Sequence, residues 1–203
     1  MVEEQIKTSE MSRVESQERI PKYTSSLLLW SFILALIPPL SLVLALSTKS
    51  LFLLQYVHVT SGGVWTGFDL FMSVILGRIL ASLDLPGRVE IAKRLTPTTF
   101  FIMPSLAATA ITAGVYLAQS LGVFDLRSPW IIAAGVIVLI LSAQGFGVFM
   151  PNGMRIFMEL AKPNPDRQKI AKLNGINIKL SGVQGVMQIA IIFVMAHIAV
   201  YPP

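Results

Sequence analysis

Five long apolar segments dominate this chain and decide what it can fold into. They run approximately over 25–47, 51–80, 98–119, 129–150 and 178–201. A helix needs about 20 mostly apolar residues to cross a bilayer, because hydrocarbon offers the backbone no hydrogen-bond partner and only a continuous helix supplies its own. The chain is 54% hydrophobic and 13% charged, with a mean hydropathy of +0.69, too little charge to cover a water-soluble domain of this length. The expected fold is therefore all-α: a polytopic membrane protein with a single five-helix bundle over residues 24–203. The second segment is longer than one crossing and must tilt or run past the membrane surface.

The basic residues set the expected orientation, since positively charged loops stay in the cytoplasm. Lys7, Arg13, Arg19 and Lys22 precede the first span, and Arg78, Arg88, Lys93 and Arg94 lie at the end of the second or after it. Arg155, Lys162, Arg167, Lys169, Lys172 and Lys179 lie between the fourth and fifth or just inside the fifth. Only Lys49 and Arg127 fall on the other side. The N-terminus is expected inside and the C-terminus outside, in the cell membrane. Residues 1–23 mix acidic and basic side chains without an apolar stripe and read as a polar cytoplasmic tail; their acidic start and the lack of a cleavage site do not fit a signal peptide.

Between the fourth and fifth spans, residues 151–177 form the one sizeable loop, and Lys162-Pro163-Asn164-Pro165-Asp166 is a turn signal separating two short helical pieces. Its basic residues are expected to meet anionic lipid headgroups, so the basic balance argues for topology and lipid and not for nucleic acid. With no cysteine, disulfides, thiolate metal sites and iron–sulfur ligation are excluded. No internal repeat or glycine-rich phosphate loop is present.

The chain has two histidines, His58 and His197. At ~100° per residue, His58, Gly62, Trp65 and Asp69 share one stripe of the second span. At ~1.5 Å per residue His58 lies about 10 Å inside the span and Asp69 about 16 Å further on. A charge at that depth is costly, so the stripe is expected to face the bundle. His58 is then either an axial ligand of haem b or a copper ligand, with Gly62 leaving room for a flat macrocycle, or a neutral imidazole bonded to a hydroxyl on another helix. Asp69 is expected to pair with Lys179 at the start of the fifth span, or to relay protons.

His197, about 7 Å inside the fifth span, lies near the depth of His58, which makes a bis-histidine site conceivable. The fifth span also carries a stripe of Asn177, Ser181, Gln184, Gln188 and Met195, and His197 points about 140° away from Gln184. If that stripe faces the bundle, His197 faces lipid, a fifth helix or a partner. Pro38, Pro39 and Pro104 are expected to kink their helices, with Thr99, Ser105, Thr109 and Thr112 bonding freed carbonyls. Gly145, Gly147, Gly182 and Gly185 read as places of close helix approach, and the nine methionines form no cluster suited to copper.

The run His58, Gly62, Trp65, Gly67, Phe71 resembles an uncharacterised family of small integral membrane proteins from archaea and bacteria. That family is distantly similar to the copper-resistance-D proteins and the membrane protoporphyrinogen oxidases, and the resemblance extends through Pro104 to Gly114 and the Pro151-Asn152 pair. It implies that His58 ligates or contacts haem. The oxidases pair this histidine with a lysine in a later helix; here the corresponding candidate, Lys179, lies at the opposite side of the membrane from His58. The resemblance thus implies a haem-b-binding or redox-associated electron-transfer subunit. Its alternatives are a non-catalytic accessory subunit associated with other membrane proteins, a copper-handling protein and a small transporter, although no paired broken half-helices mark the last.

Overall fold

The computed structural model describes residues 25–202, and the polar tail at 1–23 lies outside the described residues. Five long apolar helices form a bundle, with no strand among the described residues. They are α1 (Ser25–Ser47), α2 (Leu51–Ser82), α3 (Leu85–Ser120), α4 (Pro129–Leu160) and α5 (Arg167–Val200). All five are long and apolar enough to cross a membrane. Their outward faces carry large apolar side chains such as Trp30, Phe52, Leu139 and Phe193, all more than half exposed, which suits a surface against hydrocarbon.

Helix α3 is the hub. It packs against α1 and α2 and also meets α4 and α5, while α5 lies between α2 and α4. Two helices are much longer than their apolar runs because the polar segments before them are capped. Asp84 begins α3 by accepting from the Gly87 N–H at 3.0 Å, and Asp166 begins α5 by accepting from the Lys169 N–H at 3.0 Å. A side-chain oxygen satisfying an otherwise orphaned N–H is what an N-cap supplies. A Cβ at residue 87 would lie 2.9 Å from the capping oxygen, so a side chain there would shift the Asp84 carboxylate.

The turn at 161–166 does separate two helical pieces, which are continuations of α4 and α5 themselves. Glu159, 3% exposed, holds that turn closed. It accepts from Lys169 at 2.7 Å, Lys162 at 2.9 Å and the Asp166 N–H at 3.3 Å. Lys162 and Lys169 are therefore engaged within the protein, leaving Arg155, Lys172 and Lys179 as exposed basic side chains of this region.

Pro39 has no N–H to offer the carbonyl of Ala35, and the Ser105 hydroxyl of α3 donates to that carbonyl instead. One turn away, Ser31 and Thr98 share a hydrogen bond of 3.0 Å, so α1 is pinned to α3 by hydroxyls. Gly182 and Gly185 bring α5 against α2: a Cβ at either would strike Ser73 or Leu70. Gly145 and Gly147 have a different role from the expected one. Nothing lies within 4 Å of a Cβ at either position, and both belong to a π-helical turn, Gly145–Phe149, within α4. A second π-turn, Phe71–Leu76, interrupts α2.

Candidate functional site

The two histidines are held by different helix pairs. His58, half-buried, lays its ring over Gly114 of α3, where a Cβ would come within 2.7 Å of Cε1. Its Nδ1 is 2.8 Å from the carbonyl oxygen of Ala110. A carbonyl only accepts, so Nδ1 is the donor of this bond, and the tautomer that donates from Nδ1 has its lone pair on Nε2. His197 stacks on Trp130 of α4 with ring centroids 3.7 Å apart and planes 19° from parallel, and Tyr201 lies beyond it at 5.1 Å. His197 thus turns to α4, the helix that Asn177 and Gln184 of the polar stripe also meet. Nothing brings it to His58.

The stripe on α2 faces two different helices. Toward α3, Gly62 lies opposite Ala110, whose Cβ would be 4.0 Å from a Cβ at Gly62. The space expected for a macrocycle is filled by α3 itself. Trp65, 7% exposed, packs against Leu106 and Ala110 of the same helix α3, and toward α5 Asp69 is 1% exposed.

Asp69 is paired with Gln188, which corrects the expected ion pair with Lys179. The Gln188 Nε2 group donates to Asp69 Oδ2 at 3.0 Å, while Ser181 and the Trp65 indole flank the same carboxyl. Lys179 is exposed, two residues before Ser181 and so turned ~200° from it around α5. Two acceptors in this cluster have no hydrogen-bond partner although both are fully buried: Asp69 Oδ1 and Gln188 Oε1.

The polar stripe of α5 faces the bundle along its length. Asn177 accepts from Asn152 of α4 at 3.0 Å, and Gln184 reaches the Leu141 carbonyl at 3.5 Å. At the level of Trp65 to Met72 on α2, the stripe borders a cavity of about 340 Å³ between α2, α3, α4 and α5. Its walls are aromatic and thioether side chains, among them Phe68, Phe100, Phe146, Phe149 and Met103. Polar groups are few, with Thr99, Ser142, Asn177, Ser181 and Gln184 among them. Trp65 and Ser181 line this cavity and also flank the Asp69 carboxyl. Both π-turns border it, through Met72 of the first and Gly145, Phe146 and Phe149 of the second.

Sequence reasoning finds the stripe residues and misses the cavity. Pro97 and Pro104 within α3 and the Gly145-Phe-Gly147 run in α4 mark the interruptions around it. At the basic end, Lys93 is a further unforeseen feature: it is 6% exposed, its Nζ has no hydrogen-bond partner and Glu90 is 3.7 Å away.

Comparison with known proteins returns no match to a family model, a curated protein or a solved structure.

Proposed function

We propose that the chain is a membrane-embedded binding protein whose cavity between α2, α3, α4 and α5 takes an apolar or amphipathic small molecule. The observation that carries this reading is the cavity itself, about 340 Å³, walled by aromatic and methionine side chains with a few hydrogen-bonding groups. That size and that mixture of apolar wall and sparse polar groups match small-molecule sites in general. The two π-turns beside it favour the same reading, since such turns occur most often at functional sites. The test is thermal stabilisation of detergent-purified protein by tert-butylbenzene, a compact apolar ligand. A saturable rise in melting temperature that disappears in Ala107→Phe, which fills the cavity, is expected; the same rise in wild type and variant would refute binding there.

A second reading, haem b at His58, is favoured by one observation. A ring that gives its Nδ1 proton to a backbone carbonyl presents Nε2 as a ligand, the usual arrangement of metal-bound histidine. The close approach of α3 at Gly62 and Gly114 leaves no slot for the macrocycle beside the stripe within the bundle. A Soret band in protein expressed with ample haem, lost in His58→Ala and kept in His197→Ala, would support this reading; no band would end it.

Orientation belongs to the same proposal: the N-terminus and the 161–166 turn are cytoplasmic and the C-terminus outside, because 14 of 16 basic residues lie on that side. The exposed side chains of Arg155 and Lys172 are then the ones that meet anionic headgroups.

A further inference from the structure

The shape of the cavity and the polar groups at one end of it name the class of molecule it takes, an inference that rests on the cavity being a binding site. Its wall runs from Leu95 to Thr112 on α3 and from Leu141 to Gly153 on α4, about 25 Å and about 18 Å of helix at ~1.5 Å per residue. A volume of about 340 Å³ drawn out over such a length is a slot and not a sphere. It suits an extended chain better than a fused-ring body. The slot opens sideways between two helices, since Ala108 and Thr112 of α3 and Phe146 of α4 line it and are exposed. All three lie within the apolar runs of their helices, so this mouth faces hydrocarbon and is reached from the bilayer.

The end nearest the 83–84 and 161–166 turns is closed and polar. Thr96 of α3 and Asn174 of α5 line it and are 5% and 7% exposed. Neither side chain hydrogen-bonds to another described residue. Next to them along α5, Asn177 accepts from Asn152 through its oxygen at 3.0 Å and keeps its N–H2 group free of any acceptor among the described residues. Polar side chains buried without partners each forgo a hydrogen bond that a bound group can supply. An ionic head would find no counter-charge here, because no charged side chain among the described residues lines the cavity. A neutral hydroxyl meets the chemistry of both groups: it accepts from an amide N–H2 and donates to a carboxamide or threonine oxygen.

We propose that the cavity takes an uncharged single-chain amphiphile from the bilayer, its hydroxyl-bearing head hydrogen-bonded to Thr96 and Asn174 at the closed end and its hydrocarbon chain laid along the slot toward Trp65. Trp65 marks the far end because it packs with Ala110 and Leu141, well along α3 and α4 from Thr96 and Gly153.

Photolabelling of the full chain in lipid nanodiscs, where no detergent chain competes, tests this. The probes are dodecan-1-ol and dodecane, each with a diazirine beside the chain end, so that they differ only in the hydroxyl. The alcohol should label the Trp65, Ile111 and Leu141 region along a saturating curve, at about tenfold lower mole fraction in the disc than the alkane, the effect of one or two hydrogen bonds to an otherwise unpaired site. Placing the diazirine beside the hydroxyl should move the label to the Asn174 segment of α5. The double variant Thr96→Val, Asn174→Leu should still be labelled by the alkane, showing that it folds with its cavity intact, and should lose the preference for the alcohol. Equal labelling by alcohol and alkane in the native chain, a label that stays put when the diazirine moves, or a preference kept by the double variant would overturn the head site and leave the cavity reading standing. Tighter labelling by the matching dodecanoate would overturn the neutral head. Labelling by neither alcohol nor alkane in a saturable way would overturn both the head site and the cavity reading.

Discussion

At the scale of single residues, the Asp69–Gln188 pair makes a claim that ordinary mutagenesis can reach. An asparagine at 69 keeps a side-chain oxygen to accept from Gln188 Nε2, so Asp69→Asn should leave stability within about 0.5 kcal/mol of wild type. Gln188→Leu strips the carboxyl of its partner and should cost about 1–3 kcal/mol. Denaturation in mild detergent would check the order, and a costlier Asp69→Asn would count against the pairing with Gln188. The stripe that holds Asp69 was legible in the sequence because depth and helical angle depend only on spacing. Its partner was not: charge complementarity favoured Lys179, whereas the azimuth of α5, set by Gly182 and Gly185 closing on α2, brings Gln188 and Ser181 to the carboxyl. The stack of His197 on Trp130 was not legible either, because it depends on which helix lies next to α5.

At the scale of elements, the proline in α1 and the hydroxyl in α3 form one device. Ser105 donates to the carbonyl that Pro39 leaves unpaired, so Ser105→Ala should cost about 1 kcal/mol in the native chain. In a Pro39→Ala background the restored N–H at 39 supplies the bond from within α1, and Ser105→Ala should then cost close to nothing. A double-mutant cycle measures this directly; equal costs in both backgrounds would mean that the serine acts through packing alone. Spans 25–47 and 51–80 were readable almost to the residue, because apolar runs end at turns there. The other helices run past their apolar windows. Their extensions, 85–97 at the start of α3 and 167–177 at the start of α5, are amphipathic pieces begun by Asp84 and Asp166, signals that hydropathy alone does not weigh. The π-turns had no clear trace beyond the glycines of α4, since they answer to how α2 and α4 fit their neighbours.

At the scale of the whole molecule, topology and cavity are the two properties that matter for function. With no native cysteine, single cysteines report sidedness cleanly: Asn164→Cys should be protected from an impermeant thiol reagent in intact cells, and Leu126→Cys should be labelled. The reverse pattern would invert the bundle. The five spans were legible because a bilayer imposes length and apolarity on each segment separately; the cavity was not, because it is space left between four helices, and no local pattern specifies it. The account stands or falls on ligand entry there, and Trp65 is placed to report it. In a chain carrying Trp30→Phe and Trp130→Phe, Trp65 is the sole indole, 7% exposed and part of the cavity wall. Titration with bromobenzene, a heavy-atom quencher small enough for the cavity, should quench its fluorescence along a saturating curve that excess tert-butylbenzene reverses. Quenching that rises linearly with bromobenzene in the detergent, unaffected by tert-butylbenzene, would mean that the quencher merely dissolves around the bundle and that the cavity binds nothing.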